Sequence, residues 1–240
     1  MGSLAALTAA GSGYVETIGA NTGASTGTTI TASGSANVKG SWTQLIASTT
    51  EDYDGLLVYL APGAAANRSF LVDIGIGAAS SETVIIPNLL EAHSNPGDVV
   101  RPGCCYKINI AIPKGSRLAA RCQCSTASGT TTVLCVPFRE GNLRCGQWSD
   151  IGVTTADSSA TSVDPGASAN TKGSWVQLAA STSYDIDLLI VALGSRDQTG
   201  LIVTCSWLVD IGVGAAGSEV VIVPNLWTAL TNYSAGSACQ

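Results

Sequence analysis

Two pairs of carboxylates stand out in a chain with few charges. Asp73 and Glu82 flank the small-residue run Gly75-Ile76-Gly77-Ala78-Ala79, and Asp210 and Glu219 flank its near-twin Gly212-Val213-Gly214-Ala215-Ala216. Two carboxylates held across a cleft are the equipment of a glycosidase, one protonating the leaving oxygen while the other attacks or activates water. A tight Gly-rich turn also calls for side-chain acceptors for its backbone N–H groups, and the occurrence of the pair twice favours that structural role. Asp52 and Asp54, matched by Asp185 and Asp187, resemble the start of a calcium loop. They lack the third oxygen ligand and the distal Glu that such a loop needs.

The single histidine, His93, falls in a polar stretch between Leu90 and Pro96 and has no counterpart later in the chain. A Ser or Cys nucleophile requires a base that is itself held by a third group, and no such arrangement can be read here; the expectation is a solvated loop histidine. Of the eight cysteines, Cys104, Cys122 and Cys124 share the parity of inward-facing strand residues, whereas Cys105 and Cys145 fall outward or in a loop. Zinc binding or a disulfide is open to three inward thiols, but the spacing is C-C and C-x-C rather than the repeated C-x-x-C of zinc ribbons. Free buried thiols are the expectation for a chain made in a reducing cytoplasm. Cys205 and Cys239 have no evident mates. The residues therefore imply no catalytic centre, no metal and no cofactor.

The aromatic residues are sparse and placed alike. Trp42 and Trp175 open corresponding strands, and Tyr53 and Tyr184 precede the next. An exposed Trp can stack on a sugar ring, but at the start of an apolar strand it serves more often as a core or interface anchor. Trp42, Trp175, Trp207 and Trp227 are the expected interface anchors.

These matches belong to a longer pattern. Lys39-Gly40-Ser41-Trp42 with Gln44-Leu45 returns as Lys172-Gly173-Ser174-Trp175 with Gln177-Leu178. Leu71-Val72-Asp73-Ile74-Gly75 returns as Leu208-Val209-Asp210-Ile211-Gly212, and Pro87-Asn88-Leu89 as Pro224-Asn225-Leu226. The order is kept, so a domain-sized unit occurs twice.

The unit reads as strands. Tyr106, Ile108, Ile110 and Ile112 alternate with Lys107, Asn109 and Ala111, which has period two. Pro113-Lys114-Gly115-Ser116 then turns the chain, so that Arg117 to Ser125 is expected to return as a hairpin partner. Similar runs at Gln44–Ser48, Leu56–Leu60, Phe70–Ile76, Thr83–Ile86 and Thr131–Phe138, with shorter candidates at Tyr14–Ile18 and Thr28–Ala32, predict eight or nine strands in the first copy. The expected fold is all-β: two tandem β-sandwich modules, jelly-roll-like, the second lacking its last strands. The expected boundaries are an N-terminal arm at 1–13, a first module at 14–138, a linker at 139–147 and a second, incomplete module at 148–240. An incomplete sandwich exposes an apolar face and unpaired edges, so the expected cover is the arm Met1–Gly13, a neighbouring subunit donating strands, or the rest of this chain if the sequence is truncated relative to its gene.

Composition limits the partners. Charged residues are 12% of the chain, against roughly 25% in ordinary soluble domains, with Gly, Ala, Ser and Thr in their place. Such a weakly hydrated surface suits burial against other subunits. The net charge of −6 and the absence of a Lys/Arg cluster argue against nucleic acid. The N-terminal Met1–Leu7 has no basic residue before its short apolar run and makes a poor secretory signal. No apolar stretch reaches the roughly 18 residues needed to cross a bilayer, so no membrane association is expected.

The phrases Lys39-Gly40-Ser41-Trp42-x-Gln44-Leu45, Leu71-Val72-Asp73-Ile74-Gly75 with Pro87-Asn88-Leu89, and Ile112-Pro113-Lys114-Gly115-Ser116-Arg117-Leu118-Ala119-Ala120-Arg121-Cys122-Gln123 resemble a repeated β module of virion proteins from tailed bacteriophages. The resemblance covers Val38 to Phe138 and, in the second copy, runs through Leu226. It implies a non-enzymatic structural protein made in the host cytoplasm and placed on the virion, as a head decoration, a head fibre or a tail appendage. It also implies a homo-oligomer, expected to be a trimer, in contact with other capsid or tail proteins. A receptor-binding module gripping a host-surface glycan is the competing expectation.

Overall fold

The computed structural model describes residues 16–62, 68–93, 104–139, 146–193, 205–230 and 238–239. Its regular elements are all strands. In the first copy these are β1 (Ala20–Asn21), β2 (Thr26–Thr31), β3 (Thr43–Ile46), β4 (Tyr53–Pro62), β5 (Arg68–Ile76), β6 (Thr83–His93), β7 (Cys104–Ile112), β8 (Leu118–Cys124) and β9 (Thr130–Phe138). Two antiparallel sheets result, ordered β1-β2-β9-β4-β7 and β3-β8-β5-β6.

The alternation of apolar residues decides how the sheets meet. On β7, Tyr106, Ile108, Ile110 and Ile112 are buried, while Lys107 and Ala111 are exposed. Their inward faces join Leu56, Val58, Leu60 and Val133 of the same sheet and Phe70, Val72, Ile74, Leu118 and Cys122 of the other in one core. The pairing is nested: β2 with β9, β3 with β8, β4 with β7 and β5 with β6. A long antiparallel ribbon rolled up in this way is a jelly roll.

The nesting corrects one expectation. β7 and β8 do not form a hairpin, because β8 lies between β3 and β5 in the opposite sheet. The Pro113–Ser116 turn, with Gly115 at φ +82° and Ser116 N–H bonded to the Pro113 carbonyl at 3.2 Å, carries the chain from one sheet to the other. Both strands are rich in inward apolar groups, and crossing over buries them against one another. β6 is also longer than the Thr83–Ile86 run: it continues through Pro87, and His93 closes the strand opposite Arg68 rather than standing in a loop.

The second copy contributes β10 (Val153–Thr154), β11 (Ser159–Ala160), β12 (Ala192–Leu193), β13 (Cys205–Val213), β14 (Val220–Leu230) and β15 (Ala238–Cys239). They form three separate pairs, β10-β11, β12-β15 and β13-β14. The repeat is nonetheless exact down to backbone irregularities. The β13–β14 register slips at Val209/Ile211 and Ile211/Gly212, where β5–β6 slips at Val72/Ile74 and Ile74/Gly75. Ser25, Asn37 and Asn88 hold φ of 54°, 60° and 47°, and their counterparts Ser158, Asn170 and Asn225 hold 57°, 58° and 55°.

Nested pairing explains which elements the second copy keeps. β10–β11 and β13–β14 correspond to hairpins whose partners are neighbours in sequence, β1–β2 and β5–β6. The counterparts of β3 and β4, around Gln177-Leu178 and Ile186–Ile190, would need partners equivalent to β7, β8 and β9. Of these only the beginning of a β7 counterpart is described: β15 pairs with β12 through Ala192↔Cys239 and Leu193↔Ala238, as β7 pairs with β4 through Tyr59↔Cys105 and Leu60↔Cys104, while residues 164–189 carry no ladder and are exposed. Among the described residues the second copy therefore forms no closed sandwich.

Its beginning is laid on the first module instead. Trp148 Nε1 donates to the Asn109 carbonyl at 2.9 Å, and Asn88 Nδ2 donates to Asp150 Oδ2 at 2.9 Å. Gln123 Nε2 on β8 donates to the Thr155 carbonyl at 2.7 Å and to Ser158 Oγ at 3.0 Å. Ser158 Oγ in turn donates to Asn37 Oδ1 at 2.8 Å. Trp148, Ile190 and Ala192 pack against the first core. The proposed arm at 1–13 and most of the linker lie outside the described residues.

Candidate functional site

The site is best built from its complete version in the first copy. With Phe70, Val72 and Ile74 turned into the core, strand alternation puts Asp73 on the outer face of β5, where it is buried, and an extra residue on β6 opposite it brings the Asn88 N–H within reach. Its Oδ1 accepts hydrogen bonds from Lys39 Nζ at 2.7 Å and from the Asn88 N–H at 3.0 Å. Its Oδ2 accepts one from Arg121 Nε at 2.9 Å. Lys39 Nζ also donates to the Leu71 carbonyl at 3.0 Å and to Asn88 Oδ1 at 2.8 Å. Burial draws the Lys39 ammonium below the usual lysine range, with the Asp73 carboxylate opposing it.

Above this cluster lies a stack. An added Cβ on Gly75 would stand 2.7 Å from Trp42 Cη2, so only glycine lets the indole lie on β5. The guanidinium carbon of Arg121 rests 4.5 Å from the centre of that ring, within cation–π distance. One turn away, Arg117 Nη1 donates to Glu82 Oε1 at 2.7 Å and to the Gly77 carbonyl at 3.1 Å, while its Nε donates to Gln44 Oε1 at 3.0 Å. Burial alone would push the Glu82 carboxyl up, but the Arg117 hydrogen bond and backbone N–H groups outweigh it and hold Glu82 below the usual range. Both carboxylates of the first pair are thus engaged by basic side chains. Asp73 binds the Asn88 N–H across the ladder, not the turn backbone as the sequence led us to expect.

The second copy repeats half of this arrangement. Lys172 Nζ donates to Asp210 Oδ1 at 2.8 Å and to the Leu208 carbonyl at 3.0 Å, and the Asn225 N–H donates to Asp210 Oδ1 at 2.8 Å. The Lys172 hydrogen bond, followed by that from Asn225, holds the Asp210 carboxyl below its ordinary range. Trp175 lies on Gly212, where an added Cβ would stand 2.9 Å from Cη2. Nothing among the described residues stands where Arg117 and Arg121 do. Glu219 Oε1 accepts the Gly217 N–H at 3.1 Å, while its Oε2 is buried without a hydrogen-bond partner.

The exposed face follows from the same gap. β5 is flanked by β6 and β8, but among the described residues β13 is flanked by β14 alone. Trp175 is 43% and Trp227 59% exposed, and Leu208, Val213, Val220 and Ile222 are exposed as well. The structure brings three of the expected anchors to one hairpin, with Trp207 on β13, Trp227 on β14 and Trp175 against Gly212. The fourth, Trp42, is half-buried inside the first module under Arg121. The basic residues and asparagines of the cluster were not singled out from the sequence. Their signal was present in the recurrence of Lys and Asn within both repeated phrases and in two arginines four apart, one just before β8 and one on it.

Other candidate chemistry is dispersed. Asp52 Oδ1 accepts the Lys114 N–H at 2.7 Å. Among the described residues no group of three or more His, Cys, Asp or Glu side chains stands together to hold a metal. Cys122, Cys124 and Cys135 are buried free thiols and Cys105 is an exposed one; the side chains of Cys104, Cys145, Cys205 and Cys239 lie outside the described residues. A shallow recess beside β1–β2 is lined by Thr17, Asn21, Thr22, Ser25, Tyr59 and Thr132 among others, and brings no acid–base pair to its walls.

Comparison with protein-family models, curated proteins and solved structures finds no match for this chain. The fold defines an all-β protein with a jelly-roll sandwich, followed by a second copy whose described strands form three separate pairs.

Proposed function

We propose that the chain is a non-enzymatic structural component of a tailed-phage virion, a head decoration, head fibre or tail appendage, that works through contacts between subunits. The observation that carries the reading is the long edge of β13, unpaired among the described residues, beside exposed Trp175 and Trp227. A soluble protein guards against such an edge unless a partner uses it. The weakly charged surface suits the same end, because little hydration is lost when it is covered. The sequence resemblance supplies the particle.

Light scattering on the purified chain, with a binding assay on undecorated capsids, tests this. A stable oligomer, a trimer by expectation, that adds to capsids supports it. A monomer that ignores virion parts but adheres to host cells overturns it in favour of glycan binding by the exposed indoles. Trp175→Ala separates the two as well: it impairs assembly and solubility under the first reading, and cell attachment alone under the second.

A further inference from the structure

We infer that Lys39 and Asn88 react with one another to form an isopeptide bond, a covalent staple over the outer face of the sheet β3-β8-β5-β6. Lys39 precedes β3 at one edge of that sheet, and Asn88 lies on β6 at the other. Folding brings them together over β5. Lys39 Nζ donates to Asn88 Oδ1 at 2.8 Å, so the amine lies beside the carbonyl whose carbon it attacks. Asp73 Oδ1, 2.7 Å from the same Nζ, is placed to take its proton. The Lys39 and Asp73 side chains are only 19% and 4% exposed, and a desolvated lysine amine is a competent nucleophile. Asp150 Oδ2 accepts from Asn88 Nδ2 at 2.9 Å, which leaves the Asn88 carbonyl turned to the lysine.

The reaction exchanges one amide for another. Asp73 takes a proton from the Lys39 ammonium, and the freed lone pair of Nζ adds to Cγ of Asn88. The bond from Cγ to Nδ2 then breaks, and its electron pair leaves with the nitrogen. Nζ sheds two protons in all and keeps one hydrogen in the new amide; both protons pass through Asp73 to Nδ2, which departs as ammonium. Asp73 ends as it began, and neither water nor an oxidant is consumed. Burial favours the neutral amine that the step requires, drawing Lys39 below the usual lysine range, with Asp73 opposing and Arg121 adding to the fall. The left-handed φ of 47° at Asn88 accounts for a short polar residue there. Glycine would serve the backbone as well, but it would offer Lys39 no carbonyl carbon. The second copy keeps the same three residue types as Lys172, Asp210 and Asn225, and there Lys172 Nζ and the Asn225 N–H both lie 2.8 Å from Asp210 Oδ1. The Lys172 side chain is 48% exposed, so its ammonium stays hydrated and the first copy is the one expected to react.

Mass spectrometry of the full chain, reduced and denatured, tests this. Each bond releases one ammonia, so the expected mass is about 17 Da below that of the sequence. Tryptic digestion should spare the bond after Lys39 and yield a branched peptide that joins the segment holding Lys39 to the one holding Asn88. Lys39→Arg keeps the cation and Asn88→Gly keeps the backbone conformation, and each should restore the full mass. Asp73→Asn removes the base and should slow the reaction at least about a hundredfold in a time course on freshly made chain. A wild-type chain that still has its full mass after days in solution overturns the inference. So does a deficit confined to a linear peptide, which marks succinimide formation at an asparagine, or one that persists in both Lys39→Arg and Asn88→Gly. The decisive reading is made on the wild-type protein and does not depend on how any variant folds. The staple concerns the first module alone, so its presence or absence leaves the virion reading where it stands.

Discussion

Arg121 covers the face of Trp42, its guanidinium carbon 4.5 Å from the ring centre, while its Nε donates to Asp73. One side chain thereby joins β8 to the strand entry at Trp42 and to β5. The ring is held between the arginine and the bare backbone of Gly75. In the second copy Trp175 and Gly212 make the lower half of this stack without its lid, so a part that is structural in one repeat stands open in the other.

Arg121 should therefore matter for the stability of the first module. Arg121→Ala removes one partner from an Asp73 carboxylate that is 4% exposed but leaves Lys39 on its other oxygen, so the cost is that of a hydrogen bond to a charged group, about 1.5–3 kcal/mol. Arg121→Lys restores charge but not the stacked geometry and should recover only part of the loss. Thermal unfolding followed by circular dichroism measures both. An alanine variant that melts with the wild type would show that the stack contributes nothing to folding.

Most of the first sandwich was legible in the sequence, because a period of two in Tyr106–Ile112 can only mean one buried face. Sheet membership was not. Alternation states that Leu118 and Cys122 point inward, and it is silent on whether they lie beside β7 or across from it; the nested ladder decides that through contacts distant in sequence. The Lys39–Asp73–Asn88 cluster was half legible. Its residues recur in both copies, but an extra residue on β6 opposite Asp73 brings Asn88 to the carboxylate, and no local pattern announces a bulge.

The two equivalent glycines should respond differently to alanine. At Gly75 the new methyl meets Trp42 Cη2 at 2.7 Å and the Thr83 carbonyl at 3.2 Å, and the indole cannot withdraw because Arg121 lies behind it. Overpacking of this kind costs about 1–3 kcal/mol. At Gly212 the methyl meets Trp175 at 2.9 Å, but that ring is 43% exposed and free to lift. Gly212→Ala should cost less than about 1 kcal/mol. Denaturant midpoints of the two variants test the difference; equal losses would mean that Trp175 is held as firmly as Trp42.

Thiol chemistry should sort the cysteines by burial. Cys105 is exposed, whereas Cys122, Cys124 and Cys135 are enclosed by the core. Brief iodoacetamide treatment of the native protein, mapped by mass spectrometry, should modify Cys105 and leave the other three until denaturant is added. Rapid native labelling of Cys135 would contradict the closed sandwich.

The same buried thiols give the protein an alkaline limit. Burial pushes the thiols of Cys122 and Cys135 up to about 12, whereas an unfolded cysteine ionises near about 8.5. Below that pH both states carry the protons and the contribution is fully present. Between about 8.5 and 12 the unfolded chain has lost protons that the native state keeps, so stability falls as pH rises, by up to about 1.4 kcal/mol per pH unit for each thiol. Tyr53, raised by burial, acts in the same direction above its ordinary range, and Lys39, lowered by burial, acts in the opposite one. Comparing the chain with a Cys122→Ala, Cys135→Ala variant cancels those two groups. The variant should be less stable at pH 7 because of the cavities it leaves, yet its urea midpoint should decline less steeply from pH 8.5 to 10.5. Parallel declines in the two proteins would remove the thiols from the account of alkaline unfolding.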